Sequence, residues 1–271
     1  MRHPAARLLA IVGGFMLLPS AAPAISNGVP DGHGHPNVGF LAVSFVDGPG
    51  FLRCSGTLIG PDLFLTSAHC VVTLLTQYDA GELYFWIGFD PVFDGNDMSR
   101  WIPATEILPN PIFNFTRSDD SGDLAIVRFD PLALPDGVVL PAPPELPPLG
   151  LLDSMQADAE LRGARFTLVG FGDGVVFARG KPDFVFSGLR NVATAAFQAL
   201  GPGYFRIHEI PQSGNGGICY GDSGGPLFLG DTNLLVGVSG LTDYMCRANG
   251  GALRLDTESS RGFLGQFLTM P

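Results

Sequence analysis

The 271-residue sequence predicts an all-β protein made of two halves, joined by a linker and closed by one C-terminal helix. Three observations predict it. Short apolar runs recur along the chain, each bounded by Gly, Pro, Asp or Asn, which is the signature of an antiparallel sandwich or barrel. Glycine (37) and proline (23) are both abundant, which suits many strands and turns better than a helical bundle. Midway, the stretch LPDGVVLPAPPELPPLG (134–150) is too rich in proline to lie inside a sheet and reads as a connector.

Taken in order, residues 1–24 have the layout of a secretory signal peptide. Arg2, His3 and Arg7 make a basic start, residues 8–18 an apolar run too short to span a bilayer, and Ala22-Pro23-Ala24 a small-residue cleavage site. The expectation is cleavage after Ala24 and release to the extracellular or periplasmic side. The first half, 25–133, contains strand patterns at 37–45, 52–60, 62–70, 82–89 and 123–130. After the linker the second half, 151–256, resumes with strands at 164–172, 205–210, 226–230, 234–240 and 252–256. In the last segment, 257–271, Phe263, Leu264, Phe267 and Leu268 fall at helical spacing and predict an amphipathic helix.

Apolar residues make up 46% of the chain, enough for a substantial core, and the formal charge of −11 disfavours nucleic acid or an anionic membrane as partner. Four cysteines, Cys54, Cys70, Cys219 and Cys246, in an exported chain predict two disulfides, and spacing alone leaves three pairings open.

The chemistry concentrates in Gly221-Asp222-Ser223-Gly224-Gly225-Pro226. A serine among glycines suits a nucleophile, since a tight turn exposes the hydroxyl and small neighbours admit substrate backbone. Such a hydroxyl needs a base, and His69 in TSAHC (66–70) is the candidate. The base needs an acid to orient it. Asp123, entering the apolar run 124–129, is preferred for this over Asp119 and Asp120. The segment also fits the GxSxG elbow of α/β-hydrolases, but there the histidine follows the serine, and all five histidines here (3, 33, 35, 69 and 208) precede it. The subtilisin order fails on the lack of strand–helix alternation. His33 and His35 lack further ligands, and Asp90, Asp94, Asn96 and Asp97 do not match a calcium-loop spacing. Both groups read as solvated turns, and neither a metal nor a cofactor is expected.

TSAHC, GDLAIVRF and GDSGGP together resemble the three signature segments of the chymotrypsin/trypsin family, in that family's His–Asp–Ser order, over nearly all of the chain from Ile25. The resemblance implies two six-stranded antiparallel β-barrels packed together with a C-terminal helix. It implies a serine endopeptidase working through an acyl-enzyme, with Ser223 as nucleophile, His69 as base and acid, Asp123 orienting it, and the N–H groups of Gly221 and Ser223 as oxyanion hole. It pairs Cys54 with Cys70 and Cys219 with Cys246, the first loop contributing about 3 kcal/mol in the chain-entropy model. IVGG at 11–14 copies the family's mature start but lies inside the signal peptide. ISNG at 25–28 matches in position, so the Ile25 ammonium would pair with Asp222 once signal cleavage exposes it.

The same resemblance places Gly217 at the base of the primary specificity pocket, Gly251 at its back and Gly240, Leu241 and Thr242 along its wall; one inserted residue would make the wall Ser239, Gly240 and Leu241. A glycine at 217 offers no charge, so apolar rather than basic P1 residues are expected. Expected partners are protein or peptide substrates and protein inhibitors, on a monomer; small size and two disulfides suggest a bacterial source. The alternative is a catalytically impaired binding protein that keeps the fold. It is favoured by the irregular pocket wall and opposed by the intact triad.

Overall fold

A computed structural model describes residues 25–117, 119–178 and 181–271. The 1–24 segment, with its expected cleavage after Ala24, lies outside them. Ahead of the first barrel runs a two-residue strand, β1 (Val29–Pro30). The barrel itself is built from β2 (Val38–Phe45), β3 (Gly50–Gly60), β4 (Leu63–Thr66), β5 (Leu83–Gly88), β6 (Ile102–Pro109) and β7 (Ala125–Phe129), with a short helix α1 (Leu75–Asp79) between β4 and β5. It closes in the order β2-β3-β4-β7-β6-β5. Helix α2 (Leu151–Ala157) leads into β8 (Arg165–Gly170), a hairpin of β9 (Gly174–Ala178) and β10 (Lys181–Val185), then β11 (Asn191–Leu200), β12 (Tyr204–His208), β13 (Pro226–Leu229), β14 (Leu235–Thr242), β15 (Asn249–Arg254) and the terminal helix α3 (Glu258–Leu264). Six of these strands run β11-β12-β15-β14-β13-β8, and a β8–β11 pairing closes the second barrel.

Each barrel has its own core. Leu41, Leu58, Phe64, Phe85, Ile87 and Val127 fill the first, and Phe166, Leu168, Phe205, Ile207, Leu227 and Val236 the second. A third cluster joins them, with Val38, Leu65 and Ile126 from one side meeting Val169, Phe228, Leu253 and α3 residues Phe263 and Leu264 from the other. The side chain of Arg190, 1% exposed, also bridges the halves. Its guanidinium donates to Asp31 Oδ2 (2.8 Å) and to the carbonyls of Val38, Phe89 and Gly32 (3.0, 3.1 and 2.8 Å).

Several expectations need correction. The run 62–70 is a strand only to Thr66, after which Ala68–Cys70 coils into a 3-10 turn that lifts His69 off the sheet. Strand β1 lies in the segment assigned to the first half, yet it pairs with β11 of the second barrel, Val29 opposite Val192. The terminal helix stops at Leu264, with Gly265 as its C-cap, and Phe267 and Leu268 pack on the core from the following turn. The proline-rich connector is pinned to the second barrel by Glu145, which exchanges hydrogen bonds with Asn233 and Leu235 (both 2.9 Å). His35 is no free loop residue either: its ring contacts Asp31 at 2.6 Å and stacks on Phe228. In the acidic loop Asp90 pairs with Arg100, while Asp94 and Asp97 accept from the N–H groups of Asn96 and Ser99.

Candidate active site

The 3-10 turn after β4 presents His69 at the junction between the barrels, and the residues before β7 present Asp123 to meet it. Asp123 is 5% exposed and holds His69 twice, accepting from its backbone N–H at 2.9 Å and contacting ring Nδ1 at 2.7 Å. Two bonds from one carboxylate fix both position and ring plane, leaving Nε2 as the nitrogen turned to other work. The Cys54–Cys70 disulfide ties this turn to β3, with Cα atoms 6.2 Å apart. It neighbours the second component directly, since Cys70 Sγ lies 3.9 Å from the carbonyl oxygen of Ser223.

Ser223 sits on a turn held from both barrels. From β3, Ser55 donates its N–H to Ser223 O (2.9 Å) and its hydroxyl to Gly221 O (3.0 Å), and that hydroxyl accepts from Phe171 N–H (3.0 Å). From β14, Ser239 O accepts from Gly224 N–H (2.8 Å), and the Ser239 hydroxyl donates to Asp222 O. Gly221 and Gly224 adopt φ of +95° and +82°; a Cβ on Gly224 would stand 2.1 Å from Thr66 Oγ1, so only glycine fits there. Among the described residues the N–H groups of Gly221 and Ser223 have no protein acceptor, whereas Asp222, Gly224 and Gly225 on the same turn all use theirs. Two unspent donors on one turn form an anion-binding concavity. The Ser223 hydroxyl, half-buried, makes no hydrogen bond to His69; such bonds commonly tighten only when substrate is present.

Asp222 points away from this cavity into the second barrel and accepts from Gly172 N–H (2.8 Å) and Cys219 N–H (2.9 Å). Burial pushes its carboxyl up to about 7, against the lowering effect of those two amides. Ile25, 1% exposed, packs into the second-barrel core with Ile218, and Ser26 exchanges two backbone hydrogen bonds of 2.9 Å with Gly217. Ile25 and Asp222 share no hydrogen bond among the described residues. The second disulfide, Cys219–Cys246, spans Cα atoms 5.1 Å apart and ties the loop carrying Ser223 to the loop after β14.

Along the wall, β14 and β15 slip register between Ser239 and Leu241, so that Leu241 faces Gly251 and Thr242 faces Gly250. Gly240 lies beside the acid of the pair; a Cβ there would be 3.3 Å from Asp123 Oδ2. A cleft of about 410 Å³ runs from His69 and Asp123 past Phe113, Phe115 and Arg117 to Tyr204, Arg206, Gly240 and Leu241. One buried residue beside Gly217 escaped the sequence reading altogether. Glu209, 0% exposed, lies directly beneath Gly217. The signal was present: the alternation that turns Phe205 and Ile207 inward carries Glu209 inward as well.

The Trypsin family profile matches residues 31–255. The chain belongs to the Trypsin family. Human kallikrein-2 is 29% identical over 112 residues, covering 37% of this chain and 40% of the relative's own length. Glandular kallikrein of Sus scrofa is 27% identical over 199 residues, 65% of this chain and 70% of that protein. Among solved structures, HL collagenase superposes with a TM-score of 0.59 at 20% identity, over 89% of this chain and 97% of that one. Neuropsin, a serine protease expressed in the limbic system of mouse brain, gives 0.57 at 18% identity, over 86% and 95%. At these identities the structural likeness is one of fold, the two-barrel architecture described above.

Proposed function

We propose that this member of the Trypsin family is a secreted serine endopeptidase in which Ser223, His69 and Asp123 form the catalytic triad. The observation that carries the reading is the double hold of Asp123 on His69, beside a turn whose Gly221 and Ser223 amides are unspent. In the proposed reaction His69 Nε2 takes the Ser223 proton as Oγ attacks the scissile carbonyl, and the resulting imidazolium is stabilised by Asp123. The two free amides receive the developing oxyanion, a contribution of roughly 3–4 kcal/mol per donor in comparable sites. His69 returns the proton to the leaving amine, and water then releases the acyl group by the same steps in reverse order.

Cleavage after Ala24 would give Ile25 an ammonium group beside a core that already holds its side chain. Asp222, raised toward neutrality by burial among amides alone, has the electrostatic need for such a partner. No helix among the described residues is long and apolar enough to cross a membrane. The test is the intact mass of the secreted protein before and after treatment with a fluorophosphonate. One adduct, absent in Ser223→Ala, on a chain beginning at Ile25 is the expected result. No adduct on that chain would leave a protease fold used for binding; no adduct on a longer chain would mean that a further processing step is needed.

A further inference from the structure

In the cleft beside His69 and Asp123 the polar side chains are almost all taken up within the protein. His69 and Asp123 hold each other, and the Ser121 and Tyr204 hydroxyls bond to one another. Thr116 Oγ1 donates to Asn114 Oδ1 (2.8 Å), and the Arg117 guanidinium forks onto Asp119 (3.3 and 3.2 Å). Arg206 is the exception. It lines the same cleft, yet among the described residues it has neither an ion pair nor a hydrogen bond.

Its place in the sheet explains why. Along β12, Phe205 and Ile207 turn into the core, and the exposed Arg206 turns out between them. Its cross-strand neighbour is Gly251, which in turn faces Leu241, and Gly240 precedes that leucine. Two glycines and an aliphatic side chain offer a guanidinium nothing to bond. The nearby carboxylates are committed elsewhere: Asp120 accepts from Gly122 N–H (3.0 Å), Arg117 holds Asp119, and His69 holds Asp123. In a chain with 26 acids and 15 lysines and arginines an unpaired arginine is out of keeping; Arg100, Arg128, Arg190 and Arg254 each pair with a carboxylate.

A guanidinium is a planar fork of donors that meets a carboxylate with two parallel hydrogen bonds and keeps its charge at any working pH. At about 410 Å³ the cleft is within the size range of pockets that hold small ligands. We propose that Arg206 is a specificity-determining residue, and that the cleft takes an aspartate or glutamate side chain of a peptide substrate, a few residues from the scissile bond. This rests on the endopeptidase reading and adds a preference to it. Phe113 and Phe115, whose rings meet edge to face at 4.6 Å, line the same cleft and exclude water from the ion pair once substrate is in place, which strengthens it.

The experiment digests a library of short synthetic peptides, acetylated and amidated so that every carboxylate is a side chain, with the full secreted chain. Asp and Glu should be enriched at one fixed position relative to the cut, by about tenfold over Asn and Gln, the size of one charge-assisted contact. In Arg206→Gln the acid-to-amide ratio should fall to unity, and in Arg206→Glu lysine and arginine should replace the acids at that position. Each ratio is taken within one sample, so a variant that folds less well still yields it. A wild type with no position that favours acids overturns the inference, and so does an enrichment that survives Arg206→Gln. The same library passed over immobilised Ser223→Ala reads binding without turnover, while fluorophosphonate labelling of the wild type reports on Ser223. Labelling with no acid preference in either assay sinks the subsite and leaves the protease. Arg206-dependent retention of acidic peptides without labelling sinks the protease reading and supports the cleft as a binding site.

Discussion

The side chains of Asp31 and Glu209 are closed off from solvent to the same degree, at 1% and 0% exposure, and their surroundings drive them in opposite directions. For Asp31 burial alone would raise the pKa, but the hydrogen bonds of His35 and Arg190 bring it down to about 2. Glu209 meets only an amide and a hydroxyl, and burial carries it up to about 8. Asp31 is bonded on every side by groups that also clamp the two barrels together. Glu209 lies buried beneath Gly217 with no cation bonded to it among the described residues, so burial keeps its proton on. The contrast separates an acid whose charge the fold compensates from one that burial keeps neutral.

Removing the cation from the paired acid should have the largest effect. Arg190→Met strands Asp31 and three backbone carbonyls at the barrel junction, at a cost of about 3–5 kcal/mol. Thermal unfolding at pH 7 should fall by about 10 °C. An unchanged midpoint would mean that the Asp31 pair is no more structural than Glu209, and the comparison would collapse.

Glu209→Gln should act the other way, and only above about pH 4.5. In the unfolded chain the glutamate ionises near 4.5, whereas in the fold it stays protonated to about 8. Below 4.5 both states carry the proton and nothing is lost; as pH rises from 4.5 through 8 folding must hold on to a proton that the unfolded chain releases, and stability falls. The variant should therefore match the wild type near pH 4.5 and exceed it at pH 8.5, by an amount on the order of 2 kcal/mol. Urea titrations at the two pH values would check this, and a variant that is less stable at pH 8.5 would show that Glu209 belongs with Asp31. Asp31, lowered in the fold, contributes stability above about pH 4 that disappears as pH falls through about 2.

The smallest effect marks the end of the scale. Asp119 is also lowered to about 2, first by its hydrogen bond from Arg117, but this pair lies in open solvent. Asp119→Asn should leave the melting temperature within error and the pH profile of stability unchanged. A measurable loss would show that the depth of burial is not what ranks these acids.

The sequence made some of this visible and hid the rest, for reasons that can be located. GDSGGP was readable because its glycines are closely hemmed in, as Gly224 against Ser55 O, Ser67 N and the Thr66 hydroxyl illustrates, so the local chemistry allows few alternatives. His69 and Asp123 were readable as candidates, though 54 residues separate them and only the fold makes them neighbours. Strand β6 is hard to read because IPATEILP has proline at its second and last positions and carries a glutamate. Strand β11 escaped because NVATAAFQAL is half-buried along most of its length and has no sharp alternation to read. The disulfide pairing came only from resemblance, since three pairings fit the spacing equally. Glu209 was missed for a different reason. The motif spacing points to position 217, whereas the space beneath it is filled by a residue eight positions earlier, just past the end of β12.

One residue of β3 has a wider meaning. Ser55 spends its N–H, its hydroxyl and its carbonyl on the other half of the catalytic apparatus and on Thr66, which stands beside Gly224. The nucleophile loop is encoded in the C-terminal half of the gene but is shaped against a surface encoded in the N-terminal half. The barrels are therefore not interchangeable cassettes. A chimera that grafts one half onto a distant cousin's partner would inherit two sound scaffolds and a nucleophile with nothing to hold its conformation, whereas two fragments nicked in the 134–150 connector would retain every contact that makes the turn.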